Sequence, residues 1–366
     1  MDRNLCARRS IYCKSLVLVL LLTILGLLGG CGTSTTTNPS PTPGPTLTVS
    51  RELKGTISEF PMPNPDLHPG DITAGPDGNL WFTAFGKIGR ITPAGVVSEF
   101  SLPINSFSDS ITAGPDGNLW FTEINANKIG RITPAGMISE FPLSSSSPVE
   151  MGHLLDSDIT TGPDGAIWFT EPGTAVQNGK IGRITPTGTI SEFALPLPET
   201  HPISITKGPD GNLWFSGFSG NNVPRGFIWR ITPTGTISEF PLPSGFYSFH
   251  IAAGPDGNLW YTEADLEGQN DKIGRITPTG MISEYPVPNR HSNLNGFTAG
   301  PDNALWFTED EDNHGHNARI GRITLTGKIS EFPLPVPGSG PVSITVGPDG
   351  ALWFIEANSN KIGRLI

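Results

Sequence analysis

One phrase recurs seven times along this chain: Ile-Thr-Ala-Gly-Pro-Asp-Gly-Asn-Leu-Trp-Phe-Thr-Glu, then Lys-Ile-Gly-Arg-Ile-Thr-Pro-Thr-Gly, then Ile-Ser-Glu-Phe-Pro-Leu-Pro, each copy with small changes. Its tryptophans are Trp81, Trp120, Trp168, Trp214, Trp260, Trp306 and Trp353, spaced by 39 residues once and by 46 to 48 thereafter, with Trp229 alone outside the series. Self-similarity at this period restricts the fold to a repeat architecture. Each unit holds four short apolar runs; in the first they are Asp71 to Gly75, Leu80 to Thr83, Lys87 to Thr92 and Val96 to Phe100. Pro76-Asp77-Gly78 and Pro93-Ala94-Gly95 place proline where a turn needs φ near −65° and glycine where the chain must go left-handed, so the runs are joined as antiparallel hairpins. Four-stranded units of this length are the blades of a β-propeller.

The two ends of the repeat array complement each other. The seventh unit stops at Lys361-Ile362-Gly363-Arg364-Leu365-Ile366 and lacks the Ile-Ser-Glu-Phe run, which is found instead at Gly55 to Pro61. Pairing residues 55–60 with the last blade closes the ring and leaves no open edge at the seam. The expected fold is therefore all-β, a seven-bladed propeller of four-stranded antiparallel blades spanning residues 51–366.

Residues 1–50 are of another kind. Arg3, Arg8, Arg9 and Lys14 precede an apolar run from Leu16 to Leu28 that ends in Leu28-Gly29-Gly30-Cys31. A charged head, a short apolar stretch and small residues at its end make a secretory signal over residues 1–30. The Leu-Gly-Gly-Cys ending resembles the bacterial lipobox, and the resemblance implies cleavage before Cys31 and lipidation of its thiol. Several acyl chains, each methylene contributing roughly 0.8 kcal/mol on burial, would hold the protein on a membrane. Cys6 and Cys13 lie in the segment to be removed, so Cys31 would be the only cysteine left and no disulfide could form. Residues 31–50 carry the lipidated cysteine and a Thr, Pro and Ser-rich linker that reads as an extended tether. The expected location is extracytoplasmic, attached to a bacterial membrane through the lipid anchor only, and a monomer is expected.

Removing Arg3, Arg8, Arg9, Lys14 and Asp2 takes the formal charge from −11 to −14. A domain this acidic is not built for nucleic acid. The tight turns scarcely change from blade to blade, whereas length variation collects in the opposite loops, at 144–157, 173–179, 219–227, 264–271 and 310–318. Constant scaffold on one side and variable loops on the other is the usual division between support and binding. The loop face is thus expected to hold a small molecule or peptide. All seven histidines map there: His68, His153, His201, His250, His291, His314 and His316. The same face has an incomplete ring of acids at the end of each second strand, Glu123, Glu171, Glu263, Glu309 and Glu356, with Ala84 and Gly217 in the other two places. These carboxylates are expected near the upper mouth of the channel, where converging charges need raised pKa values or a cation. A run of further candidate ligands, Glu309 to His316, follows in blade six, without the spacing of a known metal motif.

The phrases Leu-Trp-Phe-Thr-Glu, Asn-Lys-Ile-Gly-Arg-Ile-Thr and Ile-Ser-Glu-Phe-Pro-Leu-Pro resemble those of the virginiamycin B lyase, or streptogramin lyase, family over residues 51–366. That resemblance implies a carbon–oxygen lyase that opens the lactone of a cyclic depsipeptide by elimination, using magnesium, a histidine base and glutamate. It also implies Pro-His at the start of the innermost strand of the last two blades, where this chain has Asn295 and Val342. Of the glutamates, Glu356 lies closest to a family position, one residue out of register. Valine and asparagine cannot take a proton in an elimination, and a general base is commonly worth 10² to 10⁴ in rate. Binding without catalysis is the expected role. A rebuilt lyase would draw its base from His250 or His316 and hold magnesium through carboxylates such as Glu309 and Glu356. His250 stands one residue later than the family histidine, which strand alternation would turn to the opposite side.

Overall fold

The computed structural model of the chain describes residues 55–103, 106–123, 125–144, 157–173, 178–220, 225–243, 245–265, 270–289, 292–310 and 318–366. Cys31 and the anchor segment, His153, His291, His314 and His316 lie outside them. The described residues form seven four-stranded antiparallel sheets, six of them built from consecutive strands. In blade one these are Ile72–Ala74, Leu80–Ala84, Lys87–Ile91 and Val97–Ser101, as the turn chemistry required. Gly78 and Gly95 take φ of 76° and 88° at the two tight turns. The seventh sheet is closed by the N-terminal strand Ile57–Pro61, which pairs with Lys361–Leu365 in the register Ile57 to Leu365 through Pro61 to Lys361. Closure gives every strand of that blade a partner and removes the seam edge.

Each blade is built on the same small assembly. The tryptophan is fully buried and its Nε1 donates to the aspartate of the preceding Pro-Asp-Gly turn, as in Trp81 to Asp77 at 3.0 Å. The hydrogen bond is needed because an indole N–H left unpaired in a core costs about 1–3 kcal/mol. Trp81 stacks on Phe100 of the outer strand with ring centroids 5.3 Å apart, and the Arg90 guanidinium lies 5.4 Å from the indole centroid. Arg90 also donates to the carbonyl of Pro134 in the next blade's tight turn at 3.1 Å, so one side chain caps an aromatic stack and crosses a seam.

Blades meet through the opposite face of the second strand. Leu119 and Phe121 of blade two pack on Trp81 and Ile88 of blade one, and Leu352 and Phe354 of blade seven pack on Trp306 and Ile320 of blade six. The ring of the second-strand phenylalanine lies flat over the third strand, which is why that strand carries glycine there: a Cβ on Gly182 would stand 2.1 Å from Phe169. Blade four departs from this pattern. Trp229 replaces the glycine, and Gly217 and Phe227 replace the usual glutamate and lysine, giving a stack of Phe215, Trp229 and Phe227 with centroids 5.3 and 5.0 Å apart. An aromatic filling thus takes the place of a charged one, and only where both charged partners are absent.

Gly182→Ala, at an ordinary backbone conformation and with Phe169 hemmed in, should lower stability by about 2 kcal/mol or more through overpacking alone. Urea unfolding of the two proteins side by side measures it.

Candidate active site and its surroundings

At the loop-face end of each innermost strand two residues oppose a single residue of the second strand, which is a β-bulge. The pairs are Asp109 and Ser110 across from Thr122, Ile203 and Ser204 from Ser216, Phe249 and His250 from Thr262, Asn295 and Gly296 from Thr308, and Val342 and Ser343 from Ile355. Gly70 and Asp71, and Ser157 and Asp158, hold the same places in blades one and three. In four blades the second member of the pair is held by the hydroxyl it faces: Asp71, Ser110, Asp158 and His250 donate their N–H to Thr83, Thr122, Thr170 and Thr262 at 2.8 to 3.1 Å. Alternation therefore does not decide where His250 lies. The bulge sets it in the same register as Asp71, Ser110, Asp158 and Ser204, one residue after the register of Asn295 and Val342.

Side chains of that ring are stitched from blade to blade. Ser343 donates to Asp71 at 2.6 Å, and Asp71 also accepts from Ser110 Oγ at 2.8 Å and from the N–H of Ile111 at 2.9 Å. Asp158 faces Ser110 at 3.0 Å and accepts from Ser204 at 2.7 Å and the N–H of Ile205 at 2.8 Å. Ser204 in turn accepts from the N–H of Ile251 at 3.3 Å. The stitch runs from blade seven through one, two, three and four to five. Among the described residues it is interrupted at blade six, where Gly296 has no side chain and Thr308 Oγ1 no hydrogen-bond partner, and blade seven has Ile355 in place of the threonine. A Cβ on Gly296 would stand 2.7 Å from the Cα of Ser343, so the backbones of blades six and seven touch where elsewhere a side chain intervenes. Asn295, Gly296 and Val342 thus mark the unstitched sector of the channel mouth, and His250 flanks it.

The glutamates lie elsewhere than expected. Glu123 Oε1 is 2.8 Å from where a Cβ on Gly130 would stand, so the carboxyl runs outward over the sheet, away from the axis and into the seam with blade one. Glu263, Glu309 and Glu356 hold the same register, opposite Lys272, Arg319 and Lys361, and are at most 1% exposed. In each seam the lysine or arginine pairs with a second glutamate on the outer strand, as Lys272 does with Glu284 at 2.6 Å, so one cation faces two carboxyls. Burial, added to by the outer glutamate, pushes Glu171 and Glu356 up to about 7 and Glu263 and Glu309 up to about 8. These acids hold a proton near neutrality. Strand position alone points to the channel mouth because it does not say which way a long side chain runs along the sheet.

Magnesium needs several ionised oxygens around one point. Glu309 stands in the seam between blades five and six and Glu356 in the seam between six and seven, each on its way to being a neutral acid, and among the described residues no three His, Cys, Asp or Glu side chains come together. The two carboxyls as placed do not fit a magnesium site. Of the candidate bases, His250 is described and His316 is not. His201 is buried 4.8 Å from the ring of Phe218, in an aromatic group with Tyr247 and Phe249 where blades four and five extend their strands toward the loop face.

The family model for virginiamycin B lyases matches residues 48–227 and 159–366, which together span the whole propeller. The chain belongs to the virginiamycin B lyase family. Its fold is similar to a solved streptogramin B lyase, with 37% identity, 85% of this chain and 97% of that one covered, and a TM-score of 0.71. Virginiamycin B lyase from Staphylococcus aureus is similar at 37% identity, 85% and 98% coverage and a TM-score of 0.71. A catalytically inactive histidine-to-alanine variant of that enzyme, solved with quinupristin, is similar at 36% identity, with the same coverage and a TM-score of 0.70. Curated proteins give no match.

Because the seam glutamates gain protons on folding, their contribution to stability is present below about pH 4.5 and is lost as pH rises toward 7 to 8. Thermal unfolding should show a melting temperature that falls across that interval, and Glu263→Gln should raise stability at pH 8 by on the order of 1–3 kcal/mol while changing little at pH 4.5.

Proposed function

We propose that this protein is a membrane-tethered, extracytoplasmic binding propeller of the virginiamycin B lyase family, holding a small molecule or peptide at the mouth of its channel over blades five to seven. The observation that carries this reading is the coincidence of two patterns. The axial stitch is open in that sector, and the same sector contains Asn295 and Val342, the positions where the family resemblance calls for histidine. A relative that has lost one histidine to alanine is catalytically inactive. Here both positions lack an imidazole, and neither valine nor asparagine accepts a proton near neutrality. What remains is a polar, partly open mouth framed by variable loops, suited to holding a ligand and lacking the base to break it.

The tether suits this role. Thr56 and Ile366 exchange backbone hydrogen bonds at 3.2 and 3.0 Å, at the tight-turn end of blade seven. A chain anchored through Cys31 would therefore join the propeller on the face away from the variable loops, and the proposed binding face would be turned outward from the membrane. The specific observation favouring a lyase instead is His250 at the edge of the unstitched sector, from where it could supply the base.

Incubation of the purified protein with a type B streptogramin and magnesium, read by mass spectrometry, separates the two readings. Binding without catalysis gives no ring-opened product; an isomeric product lost on adding chelator and abolished in His250→Ala would establish the lyase. Restoring the pair in Asn295→His with Val342→His should produce at least traces of elimination if the rest of the family site persists. For the anchor, Cys31→Ser expressed in a bacterial host should move the protein from the membrane fraction to the soluble extracytoplasmic one, and unchanged partition would dismiss lipidation.

A further inference from the structure

The Ser110 hydroxyl lies between two carboxylates, 2.8 Å from Asp71 Oδ2 and 3.0 Å from Asp158 Oδ1. A hydroxyl has one hydrogen to donate, so it can satisfy one ionised carboxylate and only repel the other. The neighbouring hydroxyls do not relieve this: Ser343 donates to Asp71 Oδ1 at 2.6 Å and Ser204 to Asp158 Oδ2 at 2.7 Å, and each is already accepting a backbone N–H, from Ile72 and Ile251 at 3.3 Å. The remaining donors to the two carboxyls are backbone N–H groups, of Ile72 and Ile111 on Asp71 and of Ile159 and Ile205 on Asp158. Every hydrogen bond in the row is thus accounted for except one, and it lacks a hydrogen.

We propose that Asp71, Ser110 and Asp158 form a proton-binding site on the channel axis, in which a single carboxyl proton completes the row Asp158–Ser110–Asp71 and fastens blades one, two and three to one another. The proton resides on Asp158 Oδ1, which donates to Ser110 Oγ, which donates to Asp71 Oδ2; on its release to solvent two ionised carboxylates face one hydroxyl and the row opens. The environment supports this assignment. Asp158 is driven up to about 6, first by burial and next by the charge of Asp71. The strands packed on Asp158 bring no cation to it. Blade two contributes Asp109 and Ser110 and, on its second strand, Glu123. Blade four contributes Ser204, His201, which is buried against Phe218, and Lys207, which is exposed at the other end of its strand. Blade three itself adds Glu171, itself raised by burial. Nothing in the lyase chemistry or in the ligand-binding reading requires this proton, which sits on Asp158 of blade three, on the stitched side of the ring.

Asparagine at either aspartate supplies a hydrogen permanently, because its amide nitrogen donates to Ser110 where the carboxylate could not, although that nitrogen no longer accepts the N–H of Ile159 on Asp158 Oδ1 or of Ile111 on Asp71 Oδ2. Folded Asp158 titrates above its unfolded value of 3.8, so its stabilisation is present below that value and disappears as pH rises to about 6. In full-length protein, the unfolding constant of the wild type should rise between pH 4 and 6 by about thirtyfold more than that of Asp158→Asn. The seam glutamates titrate alike in both proteins and drop out of the comparison. Infrared spectra at pH 5 should show the carbonyl band of one protonated carboxyl lost in Asp158→Asn relative to the wild type, and no such loss at pH 8. Asp71→Asn should likewise flatten the pH dependence. Parallel pH profiles, or an unchanged carboxyl band at pH 5, would overturn the site; if neither asparagine variant folds, Ser110→Ala, which takes the bridging hydroxyl out of the row, should flatten the pH dependence instead, and a profile parallel to the wild type there would overturn it equally.

Discussion

Everything else in this molecule depends on closure of the ring by the strand Ile57–Pro61. A blade cannot bury its apolar faces alone; each second-strand Leu and Phe is covered by the tryptophan of the blade before it, so a gap anywhere would expose two faces at once. The N-terminal strand completes blade seven, and Phe60 stacks on Trp353 as Phe100 does on Trp81. Lys361 pairs with Glu59 at 2.6 Å across the same joint, repeating the contact that a lysine, or in blade six Arg319, makes with a glutamate within one hairpin elsewhere. The joint between the first and last strands is thus built of the same contacts as the covalently continuous blades, which is why closure carries no structural penalty.

Within that closed frame the repeated and unrepeated parts do different work. The Trp–Asp hydrogen bond, the Phe–Trp–Arg stack and the glycine under the second-strand phenylalanine recur because each is sterically coupled to the others: change one and its partners no longer fit. Blade four shows the coupling from the other side, since Trp229 enters only together with Gly217 and Phe227. The residues that ring the axis are freer. They touch the next blade through side chains rather than through the sheet, so Asp, Ser, His and Gly can all occupy the position, and their order around the ring decides where the mouth is tied and where it is open.

This difference also explains what could be read from the sequence. Blade number, strand positions and the closing strand were legible because turn residues and alternating apolar positions act locally, over four to ten residues. The variable-loop face was legible as well, from length variation alone. The site was less so. The axial stitch joins Ser343 to Asp71 and Ser110 to Asp158, residues 272 and 48 positions apart whose partnership no local pattern announces. The bulge that places His250 beside the axis suspends the alternation from which its direction would be inferred; the signal that could have found it is the pair of extra residues before each Ile-Thr or Phe-Thr. The outward run of the seam glutamates escaped for a related reason: only the glycine two positions into the third strand makes room for them, and that glycine reads equally well as a requirement of the phenylalanine beside it.

The seams and the axis meet the same electrostatic constraint in two ways. In the seams two carboxyls face one cation, and burial settles the excess by protonating the inner glutamate. At the axis two carboxyls face hydroxyls and backbone N–H groups with no cation, and hydrogen-bond geometry leaves room for one proton more. Replacing the seam arrangement with apolar residues is possible, as blade four demonstrates, so stability alone does not account for four buried glutamates and a fifth that is partly buried. What the polar version provides is registry: a carboxyl that must find a lysine, a serine and an N–H from different strands fixes those strands against sliding, where an aromatic stack would tolerate it. A propeller whose loop face is assembled from all seven blades needs that registry, because a shift of one blade along its neighbour would misalign the mouth. The ring is tied through side chains from Ser343 round to Ser204, and that run fixes the register of five neighbouring blades while leaving the sector at Asn295 and Gly296 to be set by backbone contact.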